Sequence, residues 1–133
     1  MAGEEAVTVA GVGFRKGTSA ADIVQAVQLA TKAYGVDIGS LTALATAAFK
    51  ADEAGVRAAA ATLGVPLFAC TPAELDRVGD RVLTRSGRVE AAVGVASVAE
   101  AAALAAAGRN ATLLGPRVAT ARATCALAIG DGP

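Results

Sequence analysis

The chain contains no histidine and no tryptophan, and aromatic residues make up only 3% of its 133 positions. Without imidazole, a His-based catalytic centre or a zinc site has too few ligands to draw on. The cysteines, Cys70 and Cys125, stand far apart and form no CxxC pair. They read as small apolar core residues rather than as a redox or metal motif. No metal ion and no cofactor is therefore expected. With so few rings, the core has to be built from Ala, Val, Leu and Ile, and little is left for stacking on bases or planar ligands.

Net charge is missing too: 12 Lys/Arg balance 12 Asp/Glu. This argues against broad nucleic-acid binding driven by counterion release. The balance is uneven along the chain. Residues 1–76 carry five Lys/Arg and eight Asp/Glu, whereas residues 77–133 carry seven Arg and four Asp/Glu. No apolar run approaches the roughly 18 residues of a membrane span. Glu4 and Glu5 occupy the place where a signal peptide would be basic. The expectation is one cytoplasmic domain over 1–133, with no nucleic-acid or membrane partner.

What is present begins with Val7 to Ser19, where an apolar strand runs into a glycine loop and then a helix start. Gly11, Gly13 and Gly17 let backbone approach a ligand closely. Arg15 and Lys16 place full positive charges beside the free N–H groups of a helix N-terminus. Two readings fit: a site for an anionic small molecule, or a tight turn with two solvated cations.

Further along, strands and helices alternate. Apolar runs predict strands at 6–12, 41–48, 65–70, 89–93, 112–114 and 124–129. Ser19 with Asp22, Thr71-Pro72 with Glu74, and Ser97 with Glu100 carry capping patterns for helices. Asp52 is placed to cap another over 53–63. Gly35, Gly64, Gly79 and Gly108 stand at helix stops. The pattern predicts an α/β fold, a three-layer α/β/α sandwich. Its sheet of five or six strands would be mixed but mainly parallel. Ligands in such folds sit outside the carboxyl ends of the strands. Loops 11–18, 48–53, 94–97 and 115–122 should meet there, carrying Arg15, Lys16, Lys50, Asp52, Glu53, Ser97, Glu100 and Arg117.

The glycine loop is not a dinucleotide fingerprint, because its third glycine comes one residue late, and no Gly-Lys-Ser/Thr makes a P-loop. Thr18, Ser19, Ser97 and Thr124 lack a histidine to activate them. Asp52 and Glu53 read either as a general base pair or as cap and dipole partners of a helix.

Gly-Val-Gly-Phe-Arg-Lys-Gly-Thr-Ser at 11–19, Ala48-Phe49-Lys50-Ala51-Asp52-Glu53, the stretch from Gly94 to Leu104, and Pro116-Arg117 with Ala123-Thr124-Cys125-Ala126 together resemble the CobE family. The same unit forms the C-terminal domain of CbiG. The resemblance spans nearly the whole chain with its motifs in order. It implies a role in building the corrin ring of vitamin B12, with a precorrin or corrinoid intermediate as ligand and other enzymes of that pathway as partners. CbiG opens a lactone on such a ring and releases acetaldehyde, so a lactone or ester hydrolase is one implied activity. A stand-alone CobE of the aerobic route, binding the intermediate or assisting a partner enzyme, is the other. Arg117 departs from the lysine expected after the proline. The implied ligand-binding set is Gly11, Gly13, Arg15, Lys16, Gly17, Thr18, Lys50, Gly94, Ser97, Glu100 and Arg117, with Asp52 and Glu53 as catalytic candidates. The many carboxylates of a corrin precursor suit such cations.

Overall fold

A computed structural model describes residues 6–82 and 98–132. Its elements are β1 (Val7–Phe14), α1 (Ala20–Ala33), β2 (Ala43–Ala47), α2 (Ala54–Leu63), β3 (Leu67–Cys70), α3 (Pro72–Arg77), α4 (Val98–Ala107), β4 (Thr112–Leu113), β5 (Val118–Ala119) and β6 (Ala123–Gly130). The strand expected over 89–93, and with it Gly94 and Ser97, lies outside the described residues.

The sheet has six strands in the order β3-β2-β1-β6-β4, with β5 also paired to β6. The β1–β2 and β2–β3 pairs are parallel, and β6 is antiparallel to β1, β4 and β5. Hence, among the described residues, β6 alone runs against the other strands. The α/β class and the mixed sheet of six strands flanked by helices match the expectation, with two parallel and three antiparallel pairs among the described residues.

Side chains alternate across the strands and separate two cores. Ala10, Val12, Leu44, Cys125 and Leu127 pack beneath α1 and α2, together with Ile23, Val27 and Val56. On the other face Val9, Ala43, Ala45 and Ala128 meet α4 and the residues after α3. Buried Thr46 keeps its hydroxyl satisfied by donating to the Val12 carbonyl at 2.9 Å.

Helix ends follow the local chemistry. Ser19 caps α1 by accepting the Asp22 amide at 3.1 Å. Thr71 and Glu74 form both arms of a capping box on α3, at 2.8 and 3.1 Å. Gly64 closes α2 in the left-handed region at φ 72°. One expectation needs correcting: α2 is capped by Glu53, not Asp52, and without a side-chain hydrogen bond. Asp52 is exposed, and Glu53 turns its carboxylate elsewhere. The second strand also ends at Ala47, because residues 48–50 wind into a 3-10 turn.

The alanine-rich α4 covers the sheet. Ala99, Ala102, Ala103, Leu104 and Ala107 are essentially inaccessible. It seats deeply because the strands below present little side chain. A Cβ at Gly11 would stand 2.1 Å from the Ala99 carbonyl oxygen, and one at Gly130 would stand 2.3 Å from that of Ala107. Such glycines let a helix backbone rest directly on a strand. No helix among the described residues is long and apolar enough to cross a membrane.

Candidate functional site

The carboxyl end of β1 leads into a short turn. The Arg15 carbonyl accepts from the Thr18 amide at 3.1 Å and from the Thr18 hydroxyl at 2.7 Å. Gly17 carries the chain round at φ 84°, a conformation L side chains rarely adopt. Thr18 is buried by these bonds, while Arg15, Lys16 and Gly17 are exposed. Thr18 thus holds the turn, and the two cations project from it.

The carboxyl end of β2 lies beside this turn. Its 3-10 turn is closed by Ala51 N–H to Ala48 O at 3.2 Å and followed by Glu53 N–H to Lys50 O at 3.1 Å. The Lys50 ammonium sits 5.3 Å from the centroid of the Phe14 ring, a cation–π contact. Phe49 is 74% exposed. The Glu53 carboxylate, freed from capping its own helix, accepts the Gly17 amide through Oε1 at 2.9 Å.

Helices α1 and α2 begin against each other. A Cβ at Gly55 would stand 2.0 Å from the Thr18 carbonyl oxygen, so only glycine permits this approach. The join leaves a shallow open groove lined by Gly17, Ser19, Glu53, Gly55 and Ala58. Both helix N-termini therefore reach the end of the sheet where Arg15, Lys16 and Lys50 lie. Their free amides and dipoles favour negative charge.

A further cation belongs to this edge. Phe14 pairs with Ala123 in the antiparallel β1–β6 ladder. Arg15 follows Phe14 and Arg122 precedes Ala123, so both lie beyond this end of the β1–β6 ladder, and both are exposed. Sequence reasoning named the 115–122 loop but chose Arg117 from it. Only the register of β6 singles out Arg122, and a register is not written in local composition.

Other expected residues lie elsewhere. Gly11 and Gly13 face α4 from beneath. A Cβ on Gly13 would lie 2.9 Å from Thr124 Oγ1, and Gly11 is buried against Ala99 and Ala103. The small size of Gly11 serves helix packing, and that of Gly13 leaves room for the Thr124 side chain. Glu100 is fully buried, and its Oε2 accepts the Arg117 backbone amide at 2.9 Å. From the opposite face, the Tyr34 hydroxyl donates to the Pro116 carbonyl at 2.6 Å. Glu100 is thus a clamp on the 114–117 bulge between β4 and β5. The Arg117 backbone precedes Val118, which pairs with Cys125 opposite Val12. It therefore sits about 10 Å down the strand direction from the end of β1, and two strands across.

Among the described residues no group of three or more His, Cys, Asp or Glu could hold a metal ion. Both thiols are free and buried. Burial, with the Glu74 charge adding, pushes Cys70 from 9.0 up to about 11, and burial raises Cys125 further. A protonated thiol is a poor nucleophile, so these are packing residues.

Comparison with known proteins gives a consistent set of matches. The family described as cobalamin synthesis G C-terminus matches residues 8–128. Protein CobE from Sinorhizobium sp is 35% identical over 120 residues, which is 90% of this chain and 78% of that protein. The crystal structure of CobE, a protein from the cobalamin (vitamin B12) biosynthetic pathway, superimposes with a TM-score of 0.85 at 37% identity, covering 93% of this chain and 90% of that one. Cobalamin biosynthesis protein chiG from Agrobacterium tumefaciens gives 0.76 at 40% identity, covering 93% and 98%.

Proposed function

The chain belongs to the cobalamin synthesis G C-terminus family, as CobE-like proteins of vitamin B12 biosynthesis do, and from that premise we propose that it binds a polycarboxylate precorrin or corrinoid intermediate at the carboxyl edge of the sheet. The observation that carries this reading is the convergence of exposed Arg15 and Lys16, half-buried Lys50 and exposed Arg122 from three separate loops, beside the N-termini of α1 and α2. Corrin precursors carry carboxylates around a wide ring, and cations spread over one edge can meet several at once. Each charge-assisted hydrogen bond of this kind contributes about 1.5–3 kcal/mol.

In this reading Arg15 offers a fork for one carboxylate, and Lys16 and Lys50 act as point charges for others. The Gly17 amide, now donating to Glu53, is a further donor for a ligand carboxylate that displaces it. Gly11, Gly13, Glu100 and Arg117 support the site from behind or stand apart from it.

The test is a visible-absorbance titration of the protein with precorrin and corrin intermediates, followed by gel filtration. The ligand provides the chromophore in a chain without tryptophan. A saturable spectral shift with co-elution is expected. The double variant Arg15→Ala/Lys50→Ala should weaken binding by about a hundredfold, since two charged contacts are lost. Unchanged affinity in that variant would place the ligand elsewhere. A new absorbing product growing over time would make the protein a hydrolase acting through Glu53 or Asp52. No shift with any intermediate would instead make it a subunit that assists a partner enzyme of the pathway.

A further inference from the structure

Phe49 stands apart from the other aromatic residues. Phe14, Tyr34 and Phe68 are half-buried and pack against the two cores. Phe49 is 74% exposed, and among the described large hydrophobic residues only Leu29, at 41%, is also exposed. Leu29 lies toward the far end of α1, whereas Phe49 lies in the 48–50 turn just past the end of β2, next to Lys50. The hydrogen bonds that close the 48–50 turn hold its backbone, and the next residue, Lys50, is laid over the Phe14 ring. That contact covers one face of Phe14 and leaves Phe49 as the uncovered ring at this edge.

We propose that Phe49 is a ligand-contact residue whose ring lies against the flat face of the corrin macrocycle, while Arg15, Lys16, Lys50 and Arg122 take the carboxylates at its rim. This rests on the proposed function and adds to it a term that charge cannot supply. A corrin is apolar across its face and anionic around its edge. A site of cations alone would bind any polycarboxylate. An aromatic ring among the cations selects for a wide apolar plane, and its contact is not screened by salt.

The experiment uses the full chain and hydrogenobyrinic acid, a metal-free corrin with free carboxylates and no axial ligand over its face, as the probe. Phe49→Ala is expected to weaken binding about tenfold with the urea midpoint unchanged, because an exposed ring supports little of the fold. The slope of log affinity against log salt should match wild type in Phe49→Ala and fall in Lys50→Ala. Leu29→Ala should bind as wild type does. Phe49→Trp installs a lone indole, and its fluorescence should be quenched on titration with the coloured probe. Unchanged affinity in Phe49→Ala, with wild type binding normally, would overturn this inference and leave the proposed function standing. A reduced salt slope in Phe49→Ala would also overturn it, since Phe49 would then act only by placing Lys50. Failure of wild type to bind hydrogenobyrinic acid or any other corrinoid would overturn both. A change of oligomeric state in Phe49→Ala would assign the ring to a subunit interface instead.

Discussion

Substituting alanine for Gly11 tests whether the glycine loop's first member serves the ligand or the fold. The added Cβ would meet the Ala99 carbonyl oxygen at 2.1 Å and the Ala103 amide nitrogen at 2.6 Å, both backbone atoms that no side-chain rotation can move. To restore an ordinary contact, α4 would have to withdraw by about 1.3 Å, and a gap of that size forfeits a quarter to a half of the dispersion energy along the helix face. The expected cost is about 3 kcal/mol, the upper end for overpacking a core. For a domain of this size that corresponds to a fall in melting temperature of about 10 °C. Gly17→Ala is the comparison. It meets nothing within 4 Å but forces φ 84° on an L residue, which costs about 1 kcal/mol. Urea unfolding followed by far-UV circular dichroism should rank Gly11→Ala well below Gly17→Ala, with corrinoid affinity kept in whatever fraction of Gly11→Ala remains folded. A Gly11→Ala protein with a wild-type midpoint and lost affinity would refute the packing account.

Removal of the clamp on the 114–117 bulge should act on stability and spare the ligand. Glu100→Ala leaves the Arg117 amide without its acceptor and is expected to cost about 2–3 kcal/mol, whereas Tyr34→Phe should cost about 1 kcal/mol. Thermal melts check both, and a large loss of affinity at unchanged stability would contradict the assignment of Glu100 to the fold. Cys70 makes stability depend on alkaline pH. Its folded pKa is raised from 9.0 to about 11, so the folded state holds the proton more tightly than the unfolded chain. The stabilisation is complete below pH 9 and is lost as the pH rises towards 11. Cys70→Ala should flatten that decline in the urea midpoint, and iodoacetamide should label neither thiol near neutral pH until the protein unfolds.

Much of the fold was legible because its signals are local. The Thr71–Glu74 capping box, the Ser19 cap and the glycine after α2 are contained within a turn of chain, and the structure keeps them. The cations at 15, 16 and 50 were legible as well, since strand ends in an α/β fold share one edge. Five things were not. A Gly-Val-Gly sequence reads the same whether a ligand or a helix backbone lies over it, and at Gly11 it is a helix. Glu100 falls in the first turn of α4, where a carboxylate usually meets solvent. Here it is fully buried and accepts a backbone amide of the 114–117 bulge. Asp52 does not cap α2, because Glu53 holds the cap position and turns its carboxylate to the Gly17 amide instead of its own helix, and no spacing rule records such competition. Arg122 and Phe49 needed the strand register and the degree of exposure, which are properties of the assembled sheet.

The pairing of β1 with β6 runs from Val7 opposite Gly130 to Phe14 opposite Ala123. The centre of the sheet is thus joined by contacts between residues more than a hundred positions apart. The parallel half, β1 to β3 with its helices, is assembled from near neighbours in the chain, but it presents an unpaired edge until the last strand arrives. Closing that edge requires a long loop to be brought together, which is the slow kind of step in folding. The Arg15 and Arg122 pair can form only after it. The cationic edge therefore depends on capture of the final strand.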